Sequence, residues 1–151
     1  MNVDFQRHVG RTPQLFADLI AHGPVAIAGG ALPAKPAIYV FYLDSKPVHV
    51  GRTRNLRQRI RGHVSKSHYS ASFAFKRARG ETGFKATYKA GEGRGTLLGN
   101  PVFAEAFEKA LAEIQGMSIQ YLIVEDPIEQ YLLELYAALE LETSLSEFDT
   151  H

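Results

Sequence analysis

Apolar residues recur along this chain with two different periods, and the switching between them predicts its elements. Leu15, Phe16, Leu19 and Ile20 stand at helical spacing within Thr12–Ala21, with Thr12 placed to cap and Pro13 at the first helical position. Gly23–Lys35, rich in Gly, Ala and Pro, reads as a loop. Ala37–Leu43 (AIYVFYL) and Pro47–Gly51 (PVHVG) are short β-branched and aromatic runs separated by Asp44-Ser45-Lys46, the pattern of a hairpin. A helix is then predicted from Asn55, an N-cap whose capping-box partner is Gln58. Leu56, Ile60 and either His63 or Val64 make its inward stripe, while Arg57 and Arg61 share another face.

Ser70–Arg79 predicts a second helical piece, and the stretch 80–100, with six glycines, a loop holding at most a short strand. Asn100 and Pro101 open another helix, whose apolar face is Phe103, Phe107, Leu111 and Ile114 and which Gly116 ends. Met117–Val124 (MSIQYLIV) predicts a third strand. Asp126-Pro127-Ile128-Glu129 combines an N-cap, a first-turn proline and a capping-box Glu, opening a helix to about Glu142. The expected class is α/β in the α+β sense: a small, mainly antiparallel three-stranded sheet flanked by helices.

At 151 residues the chain is sized for a single domain, 1–151, with an N-terminal helical extension over about 1–35. It has no cysteine, which excludes disulfides, thiolate zinc sites and a cysteine nucleophile and fits a cytoplasmic location. Its apolar runs are too short to span a bilayer, and the charged start MNVDFQRHVG has no secretory apolar stretch.

The net charge of +1 conceals a strong polarity along the chain. Residues 1–100 carry 16 Lys/Arg against 5 Asp/Glu, whereas residues 101–151 carry 1 Lys against 11 Asp/Glu. Positions 52–89 alone hold 11 basic residues and one acidic residue, Glu81. Such asymmetry points to a phosphate-rich partner, DNA or RNA; the plainer reading is that the acidic part folds against the basic part.

Four groups of residues carry candidate chemistry. A hairpin can set Tyr39 beside His49 on one face. Arg59 and His63 lie four apart on the following helix. Arg52, Arg54, Arg57 and Arg61 load that helix and its approach with positive charge. Glu134 is the only charged residue of Tyr131–Leu139 (YLLELYAAL), where a carboxylate needs a partner or a metal. Each has a bland alternative: a strand aromatic, a satisfied sheet histidine, a solvated arginine, a surface or core histidine, or a glutamate paired with a core arginine. GEGRG at 91–95 lacks the strand–loop–helix setting and lysine of a phosphate loop and reads as loop. His68 and His151 have no zinc-site spacing.

Taken in order, these residues resemble the GIY-YIG nucleases. Ala37-Ile38-Tyr39 stands for the GIY motif and His49-Val50-Gly51 for the YIG motif. RTRNLRQRIRGH is similar to the helix after the second motif, its arginine at Arg59 and its histidine at His63, and Glu134 in LLELYAAL matches the family's metal-binding glutamate. The resemblance covers about 36–142. Ala37 replaces a glycine and His49 a tyrosine, and the asparagine the family carries after its glutamate helix has no counterpart, Ser146 lying near that place.

The resemblance implies a divalent-metal-dependent endonuclease that hydrolyses phosphodiester bonds in DNA, with Mg²⁺ or Mn²⁺ held at Glu134. It implies Arg59 as a phosphate clamp, and Tyr39 as the group that positions or deprotonates water, assisted by His49 or His63. Arg52, Arg54, Arg57, Arg61, Lys66, Lys76, Arg77 and Arg79 are the expected phosphate contacts. The alternative is a module of nuclease origin that binds nucleic acid without cutting it. A third reading is a protein-interaction domain using the acidic C-terminal helix.

Overall fold

A computed structural model describes residues 1–28, 30–65, 67, 71–84 and 93–144. Lys66, His68, Ser146, His151 and the first part of the 91–95 loop lie outside the described residues. The chain divides into two compact units, Met1–Arg57 with Met117–His151, and Gln58–Gly116. Among the described residues no helix is long and apolar enough to cross a membrane.

The first unit is an antiparallel sheet with two helices on one face. Its strands are β1 (Val25–Ala26), β2 (Ala37–Leu43), β3 (Lys46–Thr53) and β4 (Ser118–Ile123), in the spatial order β1-β4-β2-β3. Among the described residues the sheet therefore has four strands, not three. Val25 pairs with Ile119 and Ala26 with Ser118, and a strand of two residues is too short to leave a period in the sequence. The hairpin turns on Asp44 and Ser45, both at positive φ (50° and 65°), the twist that a two-residue turn between right-twisted strands requires. The ladder slips between Phe41 and Tyr42, so that Phe41 faces His49 while Tyr42 faces Pro47. Pro47 is tolerated because β3 is an edge strand and the ladder is irregular there.

Two helices, α1 (Val3–Ala21) and α6 (Pro127–Glu140), belong to this unit. Leu19, Ile38, Val40, Val50, Val124, Leu133, Ala137 and Ala138 form the core between them and the sheet. The helix α1 starts ten residues before the Thr12 cap expected from sequence: Asn2 caps it, its side chain accepting from the Phe5 N–H, and Pro13 lies inside. An interior proline costs about 3 kcal/mol, and the packing of Leu15, Phe16 and Leu19 against the core supplies the compensation. Thr12 is buried and donates its hydroxyl to the His8 carbonyl rather than capping. The helix α6 begins as predicted, Asp126 Oδ1 accepting from the N–H groups of Ile128 and Glu129 at 2.8 and 3.1 Å. Gln130, also buried, fixes its roll by donating to the carbonyls of Val124 (2.8 Å) and Thr53 (3.1 Å).

The second unit holds most of α2 (Leu56–His63), with α3 (Ser72–Thr82), α4 (Arg94–Leu98) and α5 (Pro101–Gln115). The helix α3 is displaced two to three residues from its expected span and ends at Gly83, whose φ of 76° is left-handed and whose N–H returns to the Arg79 carbonyl. A short helix, α4, occupies part of the stretch expected to be loop, because Thr96, Leu97 and Leu98 sustain one turn between glycines. The helix α5 keeps its predicted bounds, capped by Asn100, and its stripe of Phe103, Phe107, Leu111 and Ile114 is buried. Phe75 of α3 meets Phe103 and Phe107, with ring centroids 4.9 and 6.3 Å away.

Candidate functional site

The pleat of β2 and β3 sorts the candidate residues by face. Ile38, Val40 and Val50 point into the core beneath α1 and α6, so Tyr39, Phe41, His49 and Gly51 line the opposite face. Tyr39 is the register partner of Gly51, and His49 that of Phe41, which puts Tyr39 and His49 on a diagonal. Their rings are 5.9 Å apart, and Phe41 lies 5.3 Å from Tyr39 and 5.5 Å from His49. The three form one cluster, with Tyr39 1% and His49 7% exposed.

Gly51 makes this cluster possible. A Cβ at position 51 would stand 2.4 Å from both Cζ and Oη of Tyr39 and 2.9 Å from Cε1. The tyrosine ring thus lies over the glycine backbone, and only a residue without a side chain lets it lie there. This physical link between the last residue of AIY and the last residue of HVG is absent from their spacing.

Glu134 lies on α6 with its side chain 15% exposed, and Arg52 Nε of β3 stands 3.4 Å from its Oε1. Arg52 also stacks over the Tyr131 ring at 3.9 Å. The partner demanded by a carboxylate in an apolar helix is therefore at least this arginine, which sequence assigned to phosphate binding. Arg54 and Arg57 are exposed, and Arg57 Nε donates to the Leu32 carbonyl at 2.8 Å.

In the second unit, Arg59 Nη2 donates to the Ser72 hydroxyl at 2.7 Å. His63 completes the buried stripe with Leu56 and Ile60, its ring edge-on to Phe73 at 6.5 Å. Arg61 is exposed, whereas Lys76, Arg77 and Arg79 are half-buried. Arg77 pairs with Glu113 at 2.8 Å and lies over Phe73, and Arg79 lies over Phe75. Of the expected phosphate contacts described, Arg52, Arg54, Arg57 and Arg61 are exposed, with Arg52 turned toward Glu134 and Arg57 bonded to the Leu32 carbonyl.

A further group was not legible in the sequence. His8 of α1, Asp126 and Glu129 bring one ligand atom each within 4.8 Å of one another, and together they could hold a metal ion. Glu129 was read as a capping-box residue; its Oε1 instead reaches α1, 2.7 Å from Arg11 Nη1 and 3.7 Å from His8 Nδ1. Asp126 is held below the usual carboxylate range, first by the Glu129 backbone N–H, with the Ile128 N–H, His8 and Arg11 adding to it against a desolvation cost. The one sequence signal for His8 is its place four residues before Thr12 on the buried side of α1, visible only once that helix is extended to Asn2.

Compared with protein-family models, with curated proteins and with solved structures, the chain matches none.

Proposed function

We propose that the chain is a divalent-metal-dependent endonuclease of GIY-YIG type acting on DNA. The observation that carries this reading is the Tyr39–Gly51–His49 arrangement: the two motifs meet across one hairpin, with the tyrosine seated on the glycine and the histidine beside it. A pair of ordinary strands needs no such fit.

The donor chemistry suits a hard ion such as Mg²⁺ or Mn²⁺. Glu134 offers a carboxylate within reach of water, and Arg52 stands 3.4 Å from it, longer than the 2.7–2.9 Å typical of a charge-assisted bond. When bound there, such an ion supplies charge neutralisation at the scissile phosphate. His49 is the candidate for taking a proton from the attacking water, imidazole being the side chain that most often serves as a general base. Tyr39 then positions that water. Arg59, in the second unit, has the planar fork that suits a non-bridging phosphate oxygen, a role carried over from the resemblance. Arg54, Arg57 and Arg61 supply sequence-independent backbone contacts.

The Arg52–Glu134 pair favours one competing reading, a module of nuclease origin that binds nucleic acid and no longer cuts. Glu134→Ala separates the two. Under the nuclease reading it lowers metal-dependent cleavage by at least about 10²-fold with DNA affinity nearly unchanged. Cleavage that survives the substitution removes Glu134 from the site.

A further inference from the structure

We propose that His8, Asp126 and Glu129 bind a borderline transition ion of the Zn²⁺ class, at a site separate from Glu134, which fastens α1 to the first turn of α6. The inference rests on a buried nitrogen that makes no hydrogen bond among the described residues. The His8 side chain is 9% exposed, and its Nδ1 has no hydrogen-bond partner among the described residues although Glu129 Oε1 stands 3.7 Å away. Facing a carboxylate too distant for a hydrogen bond, that nitrogen is desolvated with its hydrogen-bonding capacity unmet, which native interiors rarely permit.

The surroundings are built for a cation. Asp126 Oδ1 already accepts from the N–H groups of Ile128 and Glu129, an orientation that locks the carboxylate as a metal-ligating one is locked by its outer neighbours. His8 sits inside a 19-residue helix, and the Thr12 hydroxyl bonds its carbonyl, so the imidazole comes from a rigid element. Donors about 2.0–2.2 Å from a tetrahedral ion lie roughly 3.3–3.6 Å apart. The His8–Glu129 separation of 3.7 Å is already close to that, and a spread within 4.8 Å needs a contraction of about 1 Å. One imidazole nitrogen with two carboxylates selects Zn²⁺ and its neighbours over Mg²⁺ or Ca²⁺, which prefer all-oxygen shells.

Arg11 acts as the counter-charge. Its guanidinium is 2.7 Å from Glu129 Oε1 while its side chain is 61% exposed, so it can swing into water when an ion takes the carboxylate. Arg11 therefore competes with the ion, and its removal strengthens binding.

The test is thermal unfolding of the full chain with Zn²⁺, Mg²⁺ or chelator, paired with equilibrium dialysis. At about a hundredfold excess over Kd, Zn²⁺ raises Tm by roughly 5 °C or more, and Mg²⁺ at the same concentration does not. His8→Ala and Glu129→Gln each abolish the shift, Arg11→Met tightens Zn²⁺ binding severalfold, and Glu134→Ala leaves it intact. That last result keeps this site distinct from the nuclease proposal, whatever the fate of the latter. If His8→Ala does not fold, Glu129→Gln and Arg11→Met carry the test. No Zn²⁺ shift, an equal shift with Mg²⁺, or a shift that survives Glu129→Gln overturns the proposal.

Discussion

Replacing Gly51 by alanine probes the contact on which the candidate site is built. The new Cβ would stand 2.4 Å from Tyr39 Cζ and Oη, where ordinary carbon contacts are about 3.5–4.0 Å, an overlap of more than ~1 Å. The phenol is the far end of its side chain, but it is 1% exposed and flanked by Phe41 and His49 at 5.3 and 5.9 Å. It has no open side to move into, so either the ring or the hairpin must shift. Overpacking of this kind costs about 1–3 kcal/mol. A catalytic group displaced by about 1 Å loses on the order of 10²-fold in rate. Urea unfolding of Gly51→Ala, alone and in a Tyr39→Leu background, measures the first effect, since leucine lacks the three atoms that collide. Gly51→Ala should be destabilising alone and within about 0.5 kcal/mol of neutral in the leucine background, a coupling of the kind contacting residues show. Equal losses in both backgrounds, or no loss in either, would refute the packing argument.

Three further outcomes are expected. Nucleic-acid affinity should fall steeply with salt, and Arg54→Ala and Arg61→Ala should each lower the log–log slope by about 1 while weakening all sequences alike; a slope that does not change removes that residue from the interface. Pro13→Ala should restore a helical N–H and stabilise the chain by about 1–3 kcal/mol in urea unfolding, whereas destabilisation would mean that the ring's packing outweighs the missing bond. Because the folded-state pKa of Asp126 is depressed, its contribution is present above the ordinary carboxylate value and lost as pH falls through the lowered one. Asp126→Asn should therefore flatten the acid limb of a stability–pH profile, and an unchanged limb would show that this carboxylate does not carry the effect.

What the sequence discloses depends on how local the cause is. The helix α5 was legible to the residue because its Asn100 cap, Pro101 and four-residue apolar stripe lie in one continuous segment. The first strand of the hairpin was equally plain, whereas the second runs from Lys46 to Thr53 rather than Pro47 to Gly51; the Tyr39–His49 neighbourhood follows from strand alternation. Pro13 misled for a physical reason: a proline that begins most helices can also sit inside one when packing offsets it, and Thr12 then turns its hydroxyl to the His8 carbonyl. Short elements, β1 with two residues and α4 with five, are too brief to show a period. Partners distant in sequence were hidden altogether. Glu134 announced that it needed a counter-charge, but only the register of β3 against α6 names Arg52. Glu129 and His8 are joined solely by the packing of α1 on α6, so the three-residue cation cluster has no trace in local spacing.

The central claim is chemical, and cleavage tests it most directly. Labelled duplex, single-stranded, flapped and branched DNA, with RNA alongside, would be incubated with the chain in Mg²⁺, Mn²⁺ or EDTA, using Glu134→Ala as control. The account predicts metal-dependent scission of at least one DNA substrate, abolished by chelation and by the substitution. Salt-sensitive binding of every substrate with no scission in either metal would contradict it and leave a nucleic-acid-binding module in its place.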